Sequence, residues 1–237
     1  MNIFPAIDLF NGCAVRLLKG DYSKMTVYSE NPIEIAADFE NCGAGYIHIV
    51  DLEGAKDGTT PNIKKVEEIA EKTSLFVEVG GGIRSMAVAD RYMAGGADRI
   101  ILGTAAVNDR DFLCRAIEKY GDAVAVGVDI KDGAVAVKGW AENSGIDAFD
   151  FCRDMQSLGV KNIICTDISK DGAMQGTNLE LYRRLSGEFN INITASGGVS
   201  DLDDIVALRK MNLYGAIIGK AYYTGAINLK EALEAAK

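Results

Sequence analysis

The sequence has 237 residues, of which 48% are hydrophobic and 25% charged, and its formal net charge at pH 7 is -9. This composition is typical of a globular protein with a large core and excludes a predominantly disordered chain. The acidic balance and the lack of a Lys/Arg cluster argue against nucleic-acid binding, and no apolar run approaches the ~20 residues of a membrane span.

Eight short apolar runs, rich in Val and Ile, alternate along the chain with amphipathic stretches. The runs mostly lack polar alternation, as expected for parallel strands covered on both faces. The predicted strands are Ile3–Ile7, Tyr46–Val50, Leu75–Val79, Arg99–Leu102, Ala123–Val128, Asn162–Thr166, Ile191–Ala195 and Gly215–Ile218. Helical patterns between them include Pro32–Cys42, Pro61–Ala70 with Thr60 as its cap, Asp147–Leu158 and Asp201–Met211. Eight strand–helix units predict an α/β fold, a closed (β/α)8 TIM barrel, as a single domain over residues 1–237.

The sequence also repeats itself at an offset of 116 residues. The segments in this register are Gly81–Ile83 with Gly197–Val199, Ile101–Gly103 with Ile217–Gly219, Asp51 with Asp167, and Asn62 with Asn178. Asp8 resembles Asp129 at a slightly larger offset of 121. The repeat predicts two fused half-barrels, about 1–121 and 122–237, within one domain, because a separate half-barrel would leave open sheet edges.

The sequence contains five cysteines, an odd number, and no two of them have the sequence spacing that is typical of metal ligands. We therefore expect free thiols in a reducing cytosol and no metal site. The N-terminus has no basic region, and Pro5 and Asp8 interrupt its apolar run, so it does not resemble a signal peptide. These features predict a cytoplasmic protein, and we expect a monomer.

Active sites in (β/α)8 barrels lie at the carboxyl ends of the strands, so the residues that follow each strand are the candidates. Glycine-rich segments follow the third, fourth, seventh and eighth predicted strands. Glycine allows the backbone to approach an anion, and a following short helix offers free N–H groups. The predicted phosphate-binding residues are Gly81, Gly82, Gly103 and Thr104 in the first half, and Ser196, Gly197, Gly198, Gly219 and Lys220 in the second. Two equivalent sites predict a substrate with a phosphate at each end, with the alternative that the glycines serve only as turns.

Asp8 and Asp129 end the first and fifth predicted strands and should point toward the centre of the barrel mouth. Paired carboxylates in a partly desolvated site suit general acid–base chemistry, although each could instead cap a loop or balance a cation. Asp171, in the glycine-containing loop 170–176, is a third catalytic candidate or else orders that loop. Asp51 and Asp167 also end strands, and for these two a structural role is equally open.

Several other side chains are candidates for substrate binding. Trp140, the only tryptophan, could stack on a heterocycle or anchor its loop. Arg16 and Arg84 could bind the substrate, or balance Asp8. Thr166 and Gly176 complete the predicted substrate-binding set. His48, the only histidine, lies within the second strand and is predicted to be packed and hydrogen-bonded, which removes Ser-His-Asp and Cys-His schemes.

These motifs, in this order, resemble a known enzyme family. They are Pro5–Leu9, Gly12 with Val15–Leu17, His48–Leu52, Gly80–Arg84, Val126–Asp129, Gly139–Trp140, Thr166–Ile168, Asp171–Gly172, Ser196–Val199 and Ile218–Ala221. The chain resembles the phosphoribosylformimino-5-aminoimidazole carboxamide ribotide (ProFAR) isomerases of histidine biosynthesis from residue 2 to about 223. The resemblance implies an Amadori rearrangement, which converts the bisphosphorylated aminoaldose ProFAR to the aminoketose PRFAR without metal or organic cofactor.

The resemblance also implies residue roles. Asp8 would be the proton acceptor and Asp129 the proton donor, with Asp171 a rival for the donor role. Trp140 would stack on the imidazole carboxamide.

Three alternatives compete with this assignment. The sister cyclase subunit of imidazole glycerol phosphate synthase usually has Cys and Lys where this chain has Ala6 and Arg16. A bifunctional isomerase that also acts on phosphoribosyl anthranilate typically has a longer, more Arg-rich loop near Trp140 than is present here. A non-catalytic phosphosugar sensor would keep the glycine loops but would not need two inward aspartates.

Overall fold

Eight parallel strands close into a barrel in the computed structural model of the protein, which describes residues 1–237. The barrel strands are β1 (Asn2–Phe10), β4 (Tyr46–Asp51), β5 (Phe76–Gly80), β6 (Arg99–Leu102), β7 (Val124–Lys131), β10 (Asn162–Asp167), β11 (Asn192–Ser196) and β12 (Gly215–Ile218). Each strand pairs in parallel with the next, and pairing of β12 with β1 closes the ring. The predicted (β/α)8 fold is confirmed, and all eight predicted strands are present within a few residues of their expected ends.

Helices surround the barrel. They are α1 (Pro32–Asn41), α2 (Leu52–Asp57), α3 (Ile63–Lys72), α4 (Met86–Ala94), α5 (Thr104–Asn108), α6 (Arg110–Tyr120), α7 (Ala148–Ser157), α8 (Leu179–Glu188), α9 (Leu202–Lys210), α10 (Lys220–Tyr223) and α11 (Leu229–Ala235). Short polar side chains cap several of them; for example, Asp201 accepts a hydrogen bond from the amide of Asp204 at the start of α9. No helix combines the length and apolar character that a membrane crossing requires.

The predicted start of α3 is wrong. The helix begins at Ile63, and Asn62, not Thr60, is the residue before its first turn. The side-chain amide of Asn62 donates hydrogen bonds to the carboxylates of Asp51 and Glu53. These bonds place residues 61 and 62 in a turn that links the helix to the barrel. This tertiary contact overrides the local preference of Pro61 for the first helical position.

Two β-hairpins extend the barrel at its mouth, and the sequence pattern did not predict them. After β1 the chain forms β2 (Cys13–Leu18) and β3 (Asp21–Ser29), and after β7 it forms β8 (Ala134–Val137) and β9 (Glu142–Asp147). Each first turn has two residues with positive φ, Asn11-Gly12 in one half and Asp132-Gly133 in the other, as tight hairpin turns require. The two halves therefore carry equivalent hairpins at the same end of the barrel.

Side chains alternate between the two faces of each barrel strand, and this alternation divides the core into two layers. The larger layer packs the outer face of the barrel against the helices. A small apolar cluster fills the barrel interior and consists of Phe4, Ala6, Ile101, Ala125, Ile164 and Ile217. Because side chains two residues apart on a strand share a face, Asp8 lies above Ala6, and Asp129 lies above Gly127 and Ala125. Thus the apolar interior forms a floor beneath the predicted catalytic carboxylates.

The two ends of the chain meet at the other end of the barrel. The amino group of Met1 donates a hydrogen bond of 2.9 Å to the carbonyl of Ala236. Pairing of β1 with β12 begins at Asn2 opposite Gly215, so first and last barrel strands are neighbours. The ring is therefore closed by the pairing of its first and last strands.

Candidate active site

A cavity at the carboxyl ends of the barrel strands contains nearly all of the predicted site residues. Its lining includes all three candidate carboxylates and both sets of glycine loops. Asp8 and Asp129 reach it from opposite halves, since β1 and β7 each extend beyond the apolar interior. The geometry thus brings together residues that are far apart in the sequence.

Asp8 forms an ion pair with Arg16 of β2. The distance between Asp8 Oδ2 and Arg16 Nη1 is 2.8 Å, and both side chains are largely buried. The β1–β2 hairpin sets this geometry, because Asp8 lies opposite Val15, the neighbour of Arg16. Burial lowers the pKa of the guanidinium, but the carboxylate of Asp8 and the hydroxyl of Tyr223 more than offset it, so the net pKa is raised. Asp8 therefore faces a permanent cation at ion-pair distance.

Asp129 has a different environment. Burial raises the pKa of its carboxyl group, and the side chains of Trp140 and Thr166 and the charge of His48 oppose that shift. Thr166 lies directly opposite Asp129 in the β7–β10 pairing. The two symmetric aspartates thus differ in surroundings: Asp8 is paired with a guanidinium group, whereas Asp129 forms no ion pair.

Asp171 lines the same cavity from the loop that follows β10. The pKa of Asp171 is raised to about 6, chiefly by burial; the charges of Asp8 and Asp129 act in the same direction, and those of Arg16 and Lys220 oppose them. The loop is held over the cavity by a hydrogen bond of 3.0 Å from Lys220 Nζ to the carbonyl of Gly172. A carboxyl group with this pKa exchanges protons near neutral pH, as a general acid requires.

The glycine loops of the two halves have the same geometry. Gly81 and Gly197 both have positive φ, and at each a side chain would collide with the carbonyl of the strand-ending aspartate, Asp51 or Asp167. Gly103 and Gly219 have nearly equal backbone angles, with φ/ψ of -95°/-103° and -103°/-108°, at the start of α5 and α10. All four line the cavity, so its two ends present equivalent backbone surfaces.

Trp140 lies in the turn between β8 and β9 and reaches across the mouth to the other hairpin. A Cβ atom on Gly20, in the β2–β3 turn, would lie 2.6 Å from Trp140 Cε3. The indole ring therefore packs directly on the Gly20 backbone while it also lines the cavity. Both roles considered from the sequence, stacking in the site and anchoring a loop, are open to this side chain.

Arg84 lies on the exposed rim of the cavity. Its Nη2 donates a hydrogen bond of 3.1 Å to the carbonyl of Ala55 in α2, and the guanidinium packs over Gly58. The cation paired with Asp8 is therefore Arg16 and not Arg84.

Asp51 and Asp167, whose roles the sequence left open, have structural contacts. Asp51 is fully buried and accepts hydrogen bonds from the amide of Gly54 and from Asn62. Asp167 accepts from Ser169 and Asn178. Neither carboxylate lines the cavity. Both hold the loop that follows their strand.

Gly176 is the one predicted site residue outside the cavity lining. Its carbonyl lies behind the second glycine loop, where a Cβ atom on Gly198 would be 2.7 Å from it. Among the titratable side chains that line the cavity, sequence reasoning did not place two in the site, Tyr22 and His48. Tyr22 belongs to the unpredicted hairpin and donates to the carbonyl of Leu52. For His48, the signal was its position two residues before the end of the predicted strand Tyr46–Val50.

The known proteins that this chain resembles match it over nearly its whole length and agree in name. A family model described as histidine biosynthesis protein matches residues 2–228. A protein of Clostridium acetobutylicum is 49% identical over 233 residues, which is 98% of each chain. One from Brachyspira hyodysenteriae is 48% identical over 237 residues, the full length of both chains.

A third relative, from Lactococcus lactis subsp. cremoris, is 50% identical over 233 residues, 98% of this chain and 95% of its own. All three are named 1-(5-phosphoribosyl)-5-((5-phosphoribosylamino)methylideneamino)imidazole-4-carboxamide isomerase. At this level of identity and coverage, the relatives share the complete barrel with the present chain.

Proposed function

The chain belongs to the histidine biosynthesis protein family, and on that premise we propose that it is the isomerase that converts the aminoaldose ProFAR to the aminoketose PRFAR. Its full-length relatives carry the name of this isomerase. The observation that carries the proposal is the arrangement of one cavity, in which carboxylates lie between two equivalent glycine-lined ends. A sugar bisphosphate has the matching distribution of charge.

The glycine loops suit the two phosphate groups. Gly81 and Gly82 at one end, and Gly197 and Gly198 at the other, expose backbone without side chains, as close approach to an anion requires. Gly103-Thr104 and Gly219-Lys220 add the first residues of short helices beside them. The remote phosphates would then hold the reacting ribose in position over the carboxylates.

Ring opening is the first chemical step, and it needs an acid. A protonated carboxyl group donates its proton to the furanose ring oxygen, the C1–O bond breaks, and the exocyclic nitrogen lone pair forms a C1=N Schiff base. Asp171, with a pKa raised to about 6, is suited to this role. Asp129, whose pKa is also raised, is its rival.

Proton removal from the second sugar carbon is the next step, and it needs a base. Asp8 suits this role, since its carboxylate lines the cavity and is held in place by the ion pair with Arg16. The C2 proton passes to Asp8, the C2–H electrons form the C1=C2 bond of an enolamine, and the nitrogen regains its lone pair. Transfer of the enol proton and protonation of C1 then give the ketose.

Trp140 is suited to bind the imidazole carboxamide by stacking. It lines the cavity from the β8–β9 turn and packs on the backbone of Gly20. A planar heterocycle bound in the cavity would stack on the part of the indole that faces it. Thr166, opposite Asp129, would orient that carboxyl group.

The deciding experiment is an assay of the purified protein with ProFAR and, separately, with phosphoribosyl anthranilate. We expect turnover of ProFAR alone. Turnover of both would establish the bifunctional isomerase, and turnover of neither would contradict the proposed function. The reaction uses only proton transfers, so we expect full activity without added metal or organic cofactor.

We also propose a cytoplasmic monomer. All five cysteines are free thiols, which suits a reducing compartment. Light scattering of the protein during gel filtration tests the monomer; a mass near twice 25.4 kDa would contradict it.

A further inference from the structure

One layer of the barrel interior contains a buried row of charged and polar side chains. His48 Nδ1 lies 2.8 Å from Glu78 Oε1, and Arg99 Nη1 lies 3.2 Å from Glu78 Oε2. Arg99 Nη2 continues the row to the hydroxyl of Tyr214 at 3.2 Å. His48, Glu78 and Arg99 are register partners on β4, β5 and β6, so their side chains share one level of the barrel.

The second half of the barrel lacks this row. The residues at the corresponding positions are Ile164, Thr194 and Gly215, which are register partners on β10, β11 and β12. Ile164 belongs to the apolar interior cluster. The glycine loops and strand-ending aspartates repeat, but this layer does not, so it makes the two halves chemically different just below the carboxylates.

The row leaves one atom available to a ligand. The Glu78 side chain is fully buried and already accepts from Arg99. An ionised carboxylate only accepts hydrogen bonds, so Nδ1 of His48 carries the proton of their shared bond. Nε2 of His48 makes no hydrogen bond within the protein, and His48 lines the cavity. Nε2 is therefore the polar atom of the row that faces the site.

Arg99 fixes the other end of the row. Its guanidinium carbon lies 5.0 Å from the centre of the Phe76 ring and 5.5 Å from that of Tyr214. This packing at the closed end of the barrel leaves the guanidinium little freedom to move. Glu78 is thus held between a fixed cation and the imidazole, and it can hold the imidazole in one orientation.

We propose that His48 contacts the substrate through Nε2 beside Asp129, and that Glu78 and Arg99 are positioning residues that hold His48 for this contact. The inference rests on the proposed function, since the ligand it names is the sugar bisphosphate. The geometry supports it, because His48 and Asp129 line the same cavity. The row thereby makes one side of a site with pseudo-two-fold symmetry chemically distinct from the other, as an asymmetric reaction requires.

The first test uses the unmodified protein. His48 is the only histidine, so its imidazole ¹⁵N signals need no assignment. We expect Nδ1 to remain protonated throughout, and the Nε2 signal to move when the product PRFAR is added to saturation. An Nε2 signal that stays unchanged at saturation would overturn the contact. Failure of this same protein to convert ProFAR would instead overturn the proposed function.

The second test separates positioning from folding. Glu78→Gln should lower kcat by about 10- to 100-fold, with KM changed by less than about threefold. Its His48 signals should show that Nδ1 is no longer fully protonated. Thr194→Val, at the equivalent buried position of the other half, is the matched control and should keep kcat within about twofold.

A His48→Leu background completes the design. If Glu78 acts through His48, Glu78→Gln should cause no further loss of kcat in that background. A full additional loss, or a wild-type kcat in the Glu78→Gln single variant, would overturn the positioning role. If Glu78→Gln does not fold, the titration of the unmodified protein still decides whether His48 contacts the substrate.

Discussion

The guanidinium of Arg16 occupies the space that a side chain at Gly219 would need. A Cβ atom built on Gly219 would overlap Arg16 Nη2, while Nη1 of the same guanidinium holds Asp8. Gly219 therefore has a role besides the backbone approach to a phosphate: it makes room for the cation of the proposed base. Gly103, its counterpart in the first half, has nothing within 4 Å of the equivalent position.

This relationship predicts different effects for two matched variants. Gly219→Ala should displace Arg16 and lower kcat by about 10- to 100-fold. Gly103 has nearly the same backbone angles but does not adjoin Arg16, so Gly103→Ala should raise KM while kcat changes far less. Steady-state kinetics of both variants test this. Equal losses of kcat would show that the glycine requirement comes from the phosphate loops alone.

Asp8→Asn should abolish the proposed base. We expect kcat to fall by about 100- to 10,000-fold, since the amide cannot accept the C2 proton. Affinity for PRFAR should stay within about tenfold, because the glycine loops and Trp140 are unchanged. Calorimetric titration with PRFAR beside an activity assay measures the two effects separately. Retained turnover would exclude Asp8 as the base.

The pH dependence of kcat/KM should identify the acid. The pKa of Asp171 is raised to about 6, so this group is protonated below pH 6 and loses its proton as the pH rises through that value. If Asp171 is the acid, kcat/KM falls above about pH 6 and this limb disappears in Asp171→Asn. A limb that survives in Asp171→Asn but disappears in Asp129→Asn would assign the acid to Asp129.

The same shift has a consequence for stability. Between pH 3.8 and about pH 6, the folded state binds more protons at Asp171 than the unfolded chain does. The contribution of Asp171 to the free energy of unfolding therefore decreases as the pH rises through that window. Asp171→Asn should therefore raise the free energy of unfolding at pH 7.5 by up to about 3 kcal/mol, and by much less at pH 4. Urea unfolding at the two pH values measures it. A variant that is less stable at both values would show that the carboxylate orders its loop.

Trp140 can be tested through the residue on which it packs. Trp140→Ala should weaken PRFAR binding by about 10- to 100-fold and change the free energy of unfolding by less than about 1 kcal/mol. Gly20→Ala should also weaken binding, because a Cβ atom there would lie 2.6 Å from Trp140 Cε3. Trp140→Phe is the control that keeps a stacking ring. Equal losses of stability and binding would mean that the indole is an anchor between the hairpins.

The sequence was sufficient to predict the barrel, because a parallel strand covered on both faces leaves a continuous apolar run. Gly215–Ile218 and Arg99–Leu102 agree with the structure at both ends. The hairpins at the mouth leave no such run; for example, β3 (Asp21–Ser29) has no buried residue and is mostly polar. Their only local signals were the Asn11-Gly12 and Asp132-Gly133 turns, which are typical of hairpins.

The candidate site shows the same division. The positions of Asp8 and the glycine loops follow from where strands end, which periodicity predicts. The choice of Arg16 over Arg84 as the cation for Asp8 depends on the β1–β2 hairpin register, which the sequence did not predict. His48 was expected to be packed and hydrogen-bonded, and it is, but only closure of the barrel turns its second nitrogen toward the cavity.

The hydrogen bond from the Met1 amino group to the Ala236 carbonyl bears on how the chain could be rearranged. Since the termini are adjacent, a short peptide could join them, and a new pair of ends could be opened in the turn at 121–122, between the two halves. Such a circular permutant would begin with the second half and end with the first, yet would keep every strand pairing of the ring. We therefore expect the barrel to form with either order of the two halves along the chain.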